Sequence, residues 1–173
     1  QSILQPDVGL LYDLARLYDQ TGDPCEALAV MQGAIDDTVK DARVYVYYAD
    51  LLSRCSQEPL AQSVLEKALI LAQIEPADRK DVLEAQIYRM MAEGMLQTGS
   101  VQAALVNAEK ALERAPDDVN LRIQAGDLSL GLLKFETARQ FGSVSSENGA
   151  KSFQRVPRLA LIAAEANLEC GNL

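Results

Sequence analysis

Apolar positions recur along this chain in blocks, and the blocks repeat. An alanine is followed four residues later by a second apolar residue, then three residues on by another alanine and an aliphatic, as in Ala27, Met31, Ala34 and Ile35. Ala61, Leu65, Ala68 and Leu69 restate the block 34 residues later. Ala104, Ala108, Ala111 and Leu112 restate it again after a longer interval, and Ala138 opens a fourth copy. The segments upstream keep step: Leu11, Leu14, Ala15 and Tyr18; Tyr45, Tyr48, Ala49 and Leu52; Tyr88, Met91, Ala92 and Met95; and, more weakly, Arg122, Ala125, Gly126 and Ser129. The upstream halves place these residues at i, i+3, i+4 and i+7 and the alanine-led halves at i, i+4, i+7 and i+8, both the period of an amphipathic helix. Turn-forming runs separate the halves at Thr21-Gly22-Asp23-Pro24, Ser56-Gln57-Glu58-Pro59 and Thr98-Gly99-Ser100. Pro24 and Pro59 stand where a helix begins, the position that best tolerates proline.

The pattern predicts helices over 7–20, 24–37, 41–54, 58–74, 77–98, 101–114, 118–131, 135–144 and 156–170. The step from the second copy to the third is 43 residues rather than 34. Only Pro76 interrupts the stretch between, so longer helices are expected there, not a loose loop. The Gly/Ser-rich run from Gly142 to Ser152 reads as a surface loop; it lacks the G-x4-G-K-[ST] spacing and preceding strand of a phosphate-binding loop. Helix 156–170, with Gly171-Asn172 as its turn, reads as the first half of a fifth copy. The chain therefore reads as a piece of a longer array.

These residues resemble the tetratricopeptide repeat (TPR) family, whose 34-residue signature runs W-x2-L-G-x2-Y, then A-x3-F, then P. Trp never fills the first position, the closing Pro is in place only as Pro116, and Gly142 stands where a large apolar residue belongs in the fourth copy. The resemblance implies an all-α, right-handed superhelical solenoid of antiparallel helix pairs. It divides residues 1–173 as one array with repeats at about 8–41, 42–76, 77–118 and 119–155 and a partial copy at 156–173. Ala15, Ala49, Ala92 and Gly126 on the first helices are expected to meet Ala27, Ala61, Ala104 and Ala138 on the second. Larger residues fill the layer between repeats.

Composition narrows the chemistry. Leucine (25) and alanine (24) dominate 173 residues, which favours helix. The complete absence of histidine excludes His-based metal sites and Ser-His-Asp triads. A net charge of −9 argues against nucleic acid as a partner, and no apolar run reaches the roughly 18 residues of a membrane span. The acidic pairs Asp36-Asp37 and Asp117-Asp118, and Glu165 with Glu169, are read as solvated or helix-capping groups. No catalytic residue, metal ligand or cofactor is assigned, and the chain is read as non-enzymatic. Cys25 and Cys55 would lie on one edge of the stacked repeats, where a disulfide is geometrically open; unpaired thiols are the expectation, with Cys170 at the end of the array.

The binding role comes from the resemblance, and the residues on offer come from the sequence. Tyr45 and Tyr48 occupy internal positions, which leaves Tyr47 outward. Counted from each repeat start, the concave face would present Tyr12, Arg16, Arg43, Val46, Tyr47, Asp50, Arg89, Met90, Glu93, Ile123 and Asp127. This mixture of aromatic, aliphatic and charged groups suits a protein or peptide partner. The Lys and Asn clamp by which some TPR domains grip a chaperone's C-terminal carboxylate is not reproduced: Tyr12, Arg16, Tyr47, Gln86 and Met90 hold its places. The alternative is a periplasmic assembly scaffold for bacterial exopolysaccharide secretion, guiding polymer or recruiting a polymer-modifying enzyme. The compartment stays open between bacterial periplasm and cytoplasm. The final half repeat, with Leu159, Leu161, Ile162 and Leu168, is a candidate surface for self-association.

Overall fold

The structure, a computed structural model, describes residues 7–36, 38–142 and 157–171. Asp37, most of the Gly142–Ser152 loop and Asn172 lie outside the described residues. Helices α1 (Val8–Thr21), α2 (Pro24–Ala34), α3 (Ala42–Arg54), α4 (Glu58–Ala72), α5 (Ala77–Gln97), α6 (Val101–Arg114), α7 (Val119–Gly131), α8 (Phe135–Gly142) and α9 (Pro157–Glu169) follow one another, with no strand among the described residues. They group into two compact units, Gln1–Leu83 and Glu84–Leu173.

In the first unit α1 pairs with α2, α3 pairs with α4, and α2 lies against α3. Its core gathers Ala15, Ala27, Leu28, Met31, Tyr48, Leu51, Leu52 and Ala61. In the second, α6 packs on α7, α7 on α8, and α9 on both α7 and α8. One cluster there joins Ala92, Ala104, Leu105, Ala108, Leu112, Leu121 and Ala125, and another joins Ala138, Leu159, Ile162 and Ala166. The alanines assigned to helix contacts, Ala15, Ala27, Ala49, Ala61, Ala92, Ala104 and Ala138, all have 0% exposure.

The same turn joins the helices of each pair. Gly22, Ser56, Gly99 and Leu133, spaced as the repeats are, carry φ values of 94, 61, 79 and 57°. At each, the left-handed residue donates its N–H to a carbonyl three residues back and its successor donates to one five back. Asp23 N–H to Tyr18 O (3.0 Å) and Lys134 N–H to Ser129 O (2.8 Å) are two of these closures. Gly171, at φ 71°, follows α9 with the first of these two bonds, donating its N–H to Leu168 O at 3.1 Å.

First helices also start alike. The carboxylates of Asp7, Asp41 and Asp118 accept N–H bonds from Gly9, Arg43 and Asn120, each at 2.9 Å. Glu84 holds that place in the third repeat, but α5 begins at Ala77 and runs through it. With no helix start to cap, Glu84 is 1% exposed and accepts from Arg114 Nε at 2.6 Å. The extra residues of the 43-residue step are thus helical, as the sequence implied.

Several expectations need correction. α2 ends at Ala34 rather than at residue 37, because Ile35 is extended and Asp36 Oδ1 accepts from both N–H (2.8 Å) and Oγ (2.5 Å) of Thr38, a local turn that competes with the helix. At Gly126 a Cβ would lie 2.9 Å from Ile162 Cδ1, so α9 occupies the space beside it. Gly142 departs from the repeat for a similar reason, since its Cβ would fall 2.6 Å from the backbone nitrogen of Ala163. Of the four α9 residues expected at the surface, only Leu161 and Leu168 are exposed; Leu159 and Ile162 are buried against α8 and α7.

Cys25 and Cys55, expected as free thiols, form a disulfide with Cα atoms 5.8 Å apart. The bridge ties the start of α2 to the end of α3 and closes a loop of 30 residues. In the loop-entropy account such a bridge stabilises by about 3.5 kcal/mol. Urea unfolding followed with and without a thiol reductant should show a loss of about that size, and a Cys25→Ser, Cys55→Ser variant should be equally weakened and indifferent to reductant. A wild-type transition unmoved by reductant would remove the bridge from the stability of this unit.

Candidate functional site

The first unit holds a groove where its first helices begin. Val8, Gly9, Tyr12, Asp13 and Arg16 of α1 form one wall, and the loop Thr38–Asp41 with Arg43 and Val44 forms the other. Its volume is about 660 Å³. The loop wall is fixed from inside: Tyr45, 1% exposed, donates its hydroxyl to Asp36 O at 3.0 Å and sits 3.3 Å from Val39 O. Lys67 lies over the Tyr45 ring, 4.7 Å from its centre.

Arg43 is held on the rim by Asp41, through Nε at 3.0 Å and Nη2 at 2.6 Å. These bonds, with the cap to Arg43 N–H, keep the Asp41 carboxyl below its ordinary range despite partial burial. Arg16 stands 6.0 Å over the Tyr12 ring, a cation–π distance. Tyr12 in turn meets Tyr47 edge to face, ring centres 5.2 Å apart. The groove therefore joins an aromatic patch to two guanidinium groups, one already paired with a carboxylate and one resting on an aromatic ring.

The Tyr47 hydroxyl is buried with no hydrogen-bond partner among the described residues. Desolvation, then the nearby Asp19 carboxylate and Tyr12, push its phenol up to about 12. Asp19 itself takes Arg54 at 2.6 Å, which links α1 to α3.

The residues named from the sequence are thus placed unequally. Tyr12, Arg16 and Arg43 line the groove and Tyr47 adjoins it through Tyr12. Val46, expected at the surface, is buried at 4% exposure. Asp50 turns to Arg54, 3.4 Å away, rather than to a groove arginine. In the second unit Arg89 and Glu93 pair on one helix at 4.0 Å, Met90 is half-buried, Ile123 packs against the α8–α9 cluster, and Asp127 pairs with Arg158 of α9. Sequence counting missed Val8, Thr38, Lys40 and Val44 as lining. The loop residues have no repeat register to count from, since they lie between helices. Among the described residues no cluster of three or more His, Cys, Asp or Glu gathers to hold a metal ion, and no helix is long and apolar enough to cross a membrane.

No family model and no curated protein matches the sequence. Solved structures do match the fold. A MamA protein aligns with TM-score 0.73 at 12% identity over 95% of this chain and 83% of its own. MamA (residue 41 to the end) from Desulfovibrio magneticus RS-1 aligns at 0.71 and 15% identity, over 95% and 86%. YrrB, described as a TPR protein with an unusual peptide-binding site, aligns at 0.68 and 18% identity, over 96% and 79%. The chain has the all-helical TPR fold.

The raised Tyr47 phenol makes alkaline stability the direct probe of this corner. In the unfolded chain Tyr47 loses its proton near pH 10, while in the fold it keeps it to about 12. Between those values the native state binds more protons, so stability is complete below pH 10 and falls as pH climbs toward 12. Tyr47→Phe should be as stable as wild type at pH 7 and should lose less stability between pH 9.5 and 11.5. Parallel denaturation curves for the two proteins across that range would show the hydroxyl to be solvated instead.

Proposed function

We propose that this protein is a non-enzymatic interaction scaffold that holds an extended or helical segment of a partner protein in the groove of its first unit. The groove supports this reading by its composition: Val8, Tyr12 and Val44 offer apolar contact while Arg16, Lys40 and Arg43 offer positive charge on a chain of net charge −9. Tyr and Arg are the residues that most often carry binding energy at interfaces, and a guanidinium on an aromatic face is already oriented to receive a carboxylate. The fold shared with YrrB, a protein described as having a peptide-binding site, is consistent with such a role.

A second reading has one observation in its favour. Disulfides persist in oxidising compartments, and the Cys25–Cys55 bridge suits the bacterial periplasm. There an acidic TPR array would serve exopolysaccharide secretion by attracting a cationic polymer or the enzyme that modifies it.

Capture from the source cell separates the two. Wild-type protein should retain a proteinaceous partner that crosslinks to a photoreactive residue at Thr38, and a folded Tyr12→Ala, Arg16→Ala variant should retain it at least tenfold less. Equal capture by the variant would move binding off the groove. Retention of glucosamine oligomers, with no protein crosslink, would favour the polymer reading.

A further inference from the structure

The groove of the first unit has an order along its length. Val8, Tyr12 and Arg16 stand on its α1 wall four residues apart, with Gly9 and Asp13 between them. At 1.5 Å of rise per residue, these three side chains leave the helix about 6 Å apart. Side chains on one face of an extended strand, at i, i+2 and i+4, are about 6.6 Å apart. A strand laid along α1 therefore keeps step with the wall over its length of about 12 Å. Over that length a groove of about 660 Å³ has a mean cross-section of roughly 55 Å². A helix with its side chains, 10–12 Å across, is too wide for that channel, whereas a single strand fits.

The chemistry changes along the same line. The wall is apolar at Val8, aromatic at Tyr12 and cationic at Arg16. Of the two guanidinium groups in the groove, Arg43 is engaged at Nε and Nη2 by Asp41. Arg16 is exposed, stands 6.0 Å over the Tyr12 ring and makes no ion pair among the described residues. A guanidinium held over a ring keeps its N–H edge for a carboxylate. Asp13, exposed and next to Tyr12 on the same wall, opposes an acid at the middle of the groove.

We propose that the groove takes an extended acidic segment of a partner protein, with apolar residues at i and i+2 against Val8 and Tyr12 and a carboxylate at i+4 on Arg16. This rests on the groove reading above and narrows it to one conformation and one sign of charge. Both walls, residues 8–16 and 38–44, belong to the first unit. Lys40 on the facing wall adds positive potential where the chain as a whole carries −9. An acid is thus drawn to the Arg16 end and refused beside Asp13, which fixes the register of the segment.

The probes are fluorescein-labelled peptides with the core Leu-Ser-Leu-Ser-Glu, or its reverse, Glu-Ser-Leu-Ser-Leu, titrated with the full chain and followed by anisotropy. At least one order should bind saturably, and at least tenfold more tightly than the same core with Gln or Lys in place of Glu. Moving the acid to the middle position should weaken binding to a similar degree. Arg16→Glu should reverse the preference, taking the Lys core over the Glu core with unchanged circular dichroism, since the side chain is exposed. No saturable binding of either order, equal binding of the Glu, Gln and Lys cores, or a Glu preference kept by the variant would each overturn the proposal. The Thr38 photocrosslink separates this failure from that of the groove reading. A protein crosslinked by a chain that shows no acid preference would leave the scaffold standing and remove the acidic strand; neither crosslink nor peptide binding would remove both.

Discussion

Two helices can approach closely only where neither carries a side chain beyond Cβ at the crossing, and this constraint organises the molecule. Ala15, Ala49 and Ala92 on first helices, and Ala27, Ala61, Ala104 and Ala138 on second helices, lose all contact with solvent. Their burial leaves little apolar area per pair, so each pair relies on leucines, methionine and tyrosine packed against the next helix. Where two helices come closer still, even Cβ is too much. Gly126 makes room for Ile162, and Gly142 lets the backbone of α9 pass.

The close crossing also explains why the two ends of the first unit differ. At one end the chain reverses through tight left-handed turns at Gly22 and Ser56, and there the disulfide joins α2 to α3. At the other end α1 and α3 start from Asp7 and Asp41, and an irregular loop joins α2 to α3, which leaves room for the groove. A stapled end and an open end follow from the same short-turn, long-loop alternation. Tyr45 anchors the open end: its ring is buried while its hydroxyl donates to the carbonyl of Asp36 beside the loop.

The helices and their register were legible in the sequence because small residues at fixed spacing are a chemical requirement. α3, α6 and α7 start and end within a residue or so of the expected bounds. What lies outside the repeat was not legible. The end of α2 depends on a side-chain turn between Asp36 and Thr38, which no periodicity signals. The disulfide was legible only as an open geometric option: stacked repeats put Cys25 and Cys55 on one edge, but repeat spacing does not say that their Cα atoms come to 5.8 Å. Within the candidate site, helix counting found Tyr12, Arg16 and Arg43 but placed Val46 outside. Val46 sits at 4% exposure, one helical step from Tyr47, and counting alone does not resolve a face that finely.

Leucine substitution at equivalent alanines tests the crossing constraint most directly. Ala49, Ala92 and Ala164 all stand seven residues before a left-handed turn residue, yet Ala49 and Ala92 are fully buried while Ala164 is exposed on α9. Chemical unfolding should show Ala49→Leu and Ala92→Leu destabilised by about 1–3 kcal/mol each through overpacking, with Ala164→Leu within about 0.5 kcal/mol of wild type. Equal losses at all three positions, or none at Ala49 and Ala92, would mean that the close helix crossing does not hold this fold together.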